Sequence, residues 1–93
     1  MKIPRDLSST DLIKALKQLG YKVSHQTGSH IRLSTKEKGE HHLTIPAHNP
    51  LKIGTLNSIL RDVGNHFNLT KNELINLLFF DIIFDKINTI LPK

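Results

Sequence analysis

Leu12, Ala15, Leu16 and Leu19 stand at i, i+3, i+4 and i+7, the spacing that draws one apolar stripe down a helix. Ser8 precedes the stripe as a cap for free N–H groups, and Asp11 sits in the positive first turn. Gly20 follows as a stop, so a helix is predicted over residues 9–19. From Tyr21 the period changes to two. Tyr21 and Val23 alternate with Lys22 and Ser24 in a first strand over 21–26, and Thr27-Gly28 signals a tight turn. Ser29 to Ser34 alternates again, with Ile31 and Leu33 on one side and His30 and Arg32 on the other. Thr35 to Glu40 reads as a polar hairpin loop. A third strand, 41–45, puts Leu43 and Ile45 against His42 and Thr44 before Pro46 ends it.

After a loop holding His48, Pro50 and Lys52, the residues Leu56, Ile59, Leu60 and Val63 predict a second helix over 54–63, closed by Gly64. Thr70 and Glu73 form a capping box and Leu69 with Leu74 a hydrophobic staple, which start a third helix. The class is α+β, a three-stranded antiparallel sheet in the order α-β-β-β-α-α. Val23, Ile31, Leu33, Leu43 and Ile45 are expected on the face covered by helices. Lys22, His30, Arg32, His42 and Thr44 are expected on the open face or its edge. A one-residue slip would exchange the two sets, so the register is strongly specified.

Charge turns the question from fold to partner. Thirteen Lys and Arg face eight Asp and Glu in 93 residues, and the whole excess of +5 lies in residues 1–78. A small basic domain calls for an anionic partner, nucleic acid first. A basic but merely solvated surface is the alternative that charge alone leaves open. There is no cysteine, which excludes disulfides and thiolate metal sites and suits a reducing cytosol. The N-terminus lacks the apolar run of a secretory signal, and no segment has the ~20 apolar residues of a membrane helix. A cytoplasmic protein without membrane contact is the expectation.

Six histidines raise the question of a metal. His41 and His42 are adjacent in a strand and point to opposite faces, no H-x-x-x-H pair falls on a helix, and the carboxylates are scattered, so no metal or other cofactor is implied. His25, His41 and His66 read as polar side chains that face solvent. His30 differs, because a turn sets it at the start of a strand beside Arg32, with His42 expected near it across the second hairpin. RNA carries its own nucleophile, the 2′-hydroxyl. Cleavage needs a base, an acid for the 5′-oxygen and positive charge for the phosphorane. Histidine titrates near neutrality and suits either proton transfer. Arg32, Lys22 or Lys52 supplies the charge, and His48 with Lys52 lies where a helix N-terminus attracts phosphate. On the pattern alone His30 is either a catalytic group or a polar strand residue.

Taken together, Ile3-Pro4-Arg5, Leu16-Lys17-Gln18-Leu19-Gly20-Tyr21, Gln26-Thr27-Gly28-Ser29-His30, Ile45-Pro46-Ala47-His48, the run from Leu51 to Gly64, and Leu69 to Leu74 resemble the HicA toxins, RNA-cleaving members of type II toxin–antitoxin pairs. The resemblance covers residues 3–78. It implies a fold like a double-stranded-RNA-binding domain and metal-independent cleavage of mRNA, with the family's catalytic histidine falling on His30. It also implies a HicB-like antitoxin that covers the same surface. Lys22, Arg32, His42, His48 and Lys52 are the expected RNA contacts.

Residues 79–93 depart from that pattern. The segment carries three of the four phenylalanines and reads as an apolar tail, either a helix extension or a contact for self-association. A non-catalytic double-stranded-RNA-binding module is the competing reading, since a basic surface suffices to read RNA by shape and phosphate contacts. A DNA-binding pair of helices is disfavoured because Arg61 is the one clear cation on the second helix. A small interaction protein working through its tail is the remaining class.

Overall fold

The computed structural model describes residues 6–79. Its elements are α1 (Ser9–Leu16), a 3₁₀ turn (Lys17–Leu19), β1 (Lys22–Thr27), β2 (His30–Thr35), β3 (His41–Pro46) and α2 (Ile53–Phe67). A further helix, α3, is described over 71–79. This is the α+β order α-β-β-β-α-α that the patterning predicts. Residues 80–93, and with them most of the apolar tail and the expected self-association contact, lie outside the described residues.

The first and third helices begin where their capping boxes say they should. The Ser8 Oγ accepts from the Asp11 N–H at 3.1 Å, and the Asp11 carboxylate accepts from the Ser8 N–H at 3.3 Å. Thr70 and Glu73 repeat the arrangement at the start of α3, at 2.9 and 3.1 Å. The Thr70 N–H holds the Glu73 carboxyl below its ordinary range. Gly20 ends the first helical segment at φ +83°, where a Cβ would stand 2.7 Å from Glu37 Cγ and 2.8 Å from Thr35 Oγ1. Both the backbone conformation and the lack of space demand glycine there. Thr35, expected in the hairpin loop, instead completes β2 and is buried. Its hydroxyl donates to the Leu19 carbonyl at 2.9 Å and accepts from the Glu37 N–H at 3.1 Å, so the buried oxygen is satisfied twice.

The second helix is longer than its apolar stripe predicts. It runs on through Gly64 to Phe67, and the stop is Asn68 in the left-handed region at φ +57°. Gly64 serves close packing rather than termination. A Cβ on it would lie 3.0 Å from the Leu69 carbonyl oxygen, and the Leu69 N–H donates to the Gly64 carbonyl at 2.9 Å. From α3, Leu74, Ile75, Leu78 and Phe79 enter the same buried cluster as Leu12, Leu16 and Leu60. Phe79, grouped by sequence with the tail, is therefore part of the core. Gln18 Nε2 donates to the Leu78 carbonyl at 3.2 Å and ties α3 back to the first helical segment.

The strands form an antiparallel sheet in the order β1-β2-β3. Leu33 pairs with Leu43 and Ile31 with Ile45, and all four are buried on the side facing the helices. Val23 pairs with Leu33 on that same side, but it is 48% exposed rather than part of the core. β1 is an edge strand, and burial stops short of it: all six of its residues are exposed. No helix among the described residues is long and apolar enough to cross a membrane.

Candidate functional site

The opposite face of the sheet is open, and its register can be read rung by rung. Lys22, Ser34 and His42 share one rung; His25, Arg32 and Thr44 share the next; Thr27, His30 and Pro46 share the last. The three strands contain no acidic residue. Nothing on the strands therefore neutralises Lys22 and Arg32, and a polyanion laid across the face meets no strand carboxylate.

His30 owes its place to the turn before it. Gly28 takes a positive φ of 55° at the first of two turn positions, the type II′ arrangement, so Thr27 and His30 become the closing pair of the first hairpin. His30 is exposed, and Arg32 follows two residues later on the same face. The loop after β3 is fastened to this end of the sheet. The Ala47 N–H donates to the Ser29 carbonyl at 2.6 Å, and the His48 carbonyl accepts from the Ser9 N–H at 3.1 Å. His48 is thus held two residues past Pro46, the partner of His30. Lys52, the N-cap of α2, offers no side-chain hydrogen bond to that helix, so the first N–H groups keep their capacity for an anion.

His42 does not come near His30, although β2 and β3 do form the expected hairpin. It pairs with Ser34, four residues along the strand from the His30 rung, a displacement of roughly 13 Å. Its neighbour is Glu40, 3.6 Å away. Lys22 is displaced by the same amount. The structure brings together His30, Arg32 and the loop that carries His48, and it sets Lys22 and His42 at the far end of the face.

Alternation alone does not put His25 on this face. Strict alternation from Tyr21 and Val23 turns it toward the helices. Between Val23 and His25 the register shifts by one residue, and this bulge returns His25 to the open side opposite Arg32. The Ser24 hydroxyl donates to the Arg32 carbonyl at 3.2 Å at the bulge, and His25 Nε2 hydrogen bonds the Thr27 hydroxyl at 2.7 Å.

His25 faces solvent as expected, but His41 and His66 are partly buried and join a network. His41 Nε2–H donates to Asp62 Oδ1 at 3.2 Å, which leaves Nδ1 to accept from the Tyr21 hydroxyl at 2.7 Å. The two imidazoles stack with centroids 4.4 Å apart, and His66 Nε2–H donates to the carbonyls of Glu37 and Gly39 at 2.9 and 3.1 Å. This network clamps the loop between β2 and β3 onto α2, at the end of the sheet away from His30. Among the described residues no three His, Asp or Glu side chains gather closely enough to hold a metal ion.

Burial, and secondarily the charge of Asp62, pushes the Tyr21 phenol far above its ordinary value. The folded protein therefore keeps a proton that the unfolded chain releases near pH ~10. The associated stability is complete below that pH and is lost as pH rises above it. Tyr21 is the single tyrosine, so tyrosinate absorbance reports it directly. The phenolate signal is expected to appear only together with loss of helical circular dichroism, whereas the stability of Tyr21→Phe should stay level across that range.

Comparison with known families matches residues 9–65 to the family described as HicA toxin of bacterial toxin-antitoxin. Searches of the curated proteins and of the solved structures find no match. The matched span runs from the first residue of α1 almost to the end of α2 and includes the whole sheet, the His30 turn and the loop holding His48. More than half of the chain is covered, and the chain belongs to the HicA toxin family, the toxin side of a bacterial toxin–antitoxin pair whose partner is an antitoxin.

Proposed function

We propose that the toxin is a metal-independent endoribonuclease that cleaves mRNA in the cytoplasm, with His30 as its catalytic residue. The observation that carries this reading is the position of His30: exposed, fixed by a two-residue turn, and beside Arg32 on a sheet face whose strands hold no carboxylate. His30 takes the proton of a 2′-hydroxyl. The freed oxygen attacks the adjacent phosphorus, and the bond to the 5′-oxygen breaks. Arg32 faces the charge that gathers on the phosphorane, where a fixed cation is worth most. The products are a 2′,3′-cyclic phosphate and a 5′-hydroxyl, and no water is consumed. His48 and Lys52 hold a neighbouring phosphate, while Lys22 and His42 meet the strand farther along the face. An antitoxin of the HicB type silences the enzyme by covering the same surface.

The test is incubation of the purified protein with a long single-stranded RNA in EDTA, followed by a denaturing gel and analysis of the ends. Cleavage with 2′,3′-cyclic phosphate ends supports the reading. Binding without cleavage would move the assignment to a non-catalytic double-stranded-RNA-binding module, which the basic face also suits.

A further inference from the structure

A base alone does not complete this reaction, because the 5′-oxygen leaves poorly unless it is protonated. We infer that His25 is the proton donor to the leaving 5′-oxygen, acting across the open face from His30. The inference rests on the nuclease reading above and adds a second residue that contacts the reacting atoms.

Four observations lead to it. The bulge at Ser24 places His25 opposite Arg32 while His30 closes the hairpin opposite Thr27, so the two histidines are diagonal neighbours on one face. Such neighbours have Cα atoms roughly 7–8 Å apart, within reach of long or aromatic side chains. Two proton-transfer groups must each stand ~2.8 Å from an oxygen while those oxygens flank the phosphorus in line, so their nitrogens must lie more than about 6 Å apart. Directly paired residues would be too close, and residues two rungs apart, such as His30 and His42, too far.

The hydrogen bond from His25 Nε2 to the Thr27 hydroxyl turns the ring along β1 toward the His30 rung. It leaves Nδ1 with no protein partner among the described residues. Arg32 lies on the rung of His25 and two residues from His30, where it can face the phosphorane between them. His25 is exposed, and its own rung holds Arg32 and Thr44.

The step balances. His30 gains the 2′-hydroxyl proton, the O2′–P bond forms, the P–O5′ bond breaks, and the 5′-oxygen takes a proton from imidazolium His25. Both side chains return to their starting states by exchange with solvent.

A substrate with sulfur in place of the bridging 5′-oxygen separates this role from a structural one, because a thiolate leaves without a proton. On ordinary RNA, His25→Ala and His25→Gln are expected to cleave about 10²–10⁴-fold more slowly than wild type. Gln can keep a hydrogen bond to Thr27 but has no acidic proton to give. On the 5′-thio RNA both variants should come within a few-fold of wild type, while His30→Ala stays slow on both substrates. Equal losses on the two substrates, or wild-type rates on ordinary RNA, would overturn the assignment and leave the His30 nuclease standing. Wild-type protein that cuts neither RNA would sink the nuclease reading and this inference together.

Discussion

Replacing His30 with alanine is expected to slow RNA cleavage by about 10²–10⁴-fold, the usual contribution of a positioned acid–base group. Folding should be untouched. His30 is exposed, it makes no side-chain hydrogen bond among the described residues, and surface changes of this kind stay within about 0.5 kcal/mol. Single-turnover cleavage with saturating protein, beside circular dichroism and urea unfolding of both proteins, separates the two effects. A loss confined to binding would make His30 a phosphate contact rather than the base. Unchanged cleavage would transfer the role to another histidine, with His48 first, because its loop is fastened to the same end of the sheet through Ala47 and Ser29.

The second large effect lies in the core. Phe79 is fully buried with Leu74, Ile75 and Leu78 on α3. Phe79→Ala removes a large side chain from a packed site, and such truncations cost about 3–5 kcal/mol. Small domains hold roughly 5–15 kcal/mol in total, so this one change consumes much of the margin. Urea unfolding should show a midpoint far below wild type with a similar slope. Leu77→Ala is the control: Leu77 is 44% exposed on the same helix, and its loss should be nearly silent. A chain ending before Phe79 is expected to show the same loss.

Most of the fold was legible because the hydrophobic period is unambiguous in each segment. The stripe from Leu12 to Leu19, the alternation of Ile31 with Leu33 and Leu43 with Ile45, and the Thr70–Glu73 box each recur in the structure as read. Failures came where one residue type serves two physical ends. Gly64 carries the signature of a helix stop, yet it is there to let the Leu69 backbone approach. Val23 obeys the alternation, but burial reaches the β3 edge of the sheet, at Leu43 and Ile45, and stops short of the β1 edge. His41 and Asp62 are 21 residues apart, so only the folded chain shows that they share a hydrogen bond.

His25 was in principle recoverable. The Gly28 turn makes Thr27 and His30 a closing pair, which puts odd-numbered residues of the first strand on the open side. Tyr21 and Val23 put odd-numbered residues on the helix side. Both assignments hold only if the strand carries one extra residue between them. That parity conflict announces the bulge, and the bulge delivers a histidine to the site.

The order of the strands has a consequence for local opening. β2 is flanked by hydrogen-bonded partners on both sides, whereas β1 is held on one side only. Backbone breathing begins at edges and termini, where the free energy of opening is smallest. His30 and Arg32 therefore ride on the strand whose amides exchange most slowly, while His25 rides on one that exchanges sooner. Fraying of β1 carries His25 away and leaves the arginine–histidine pair in register, so the two halves of the face keep different clocks.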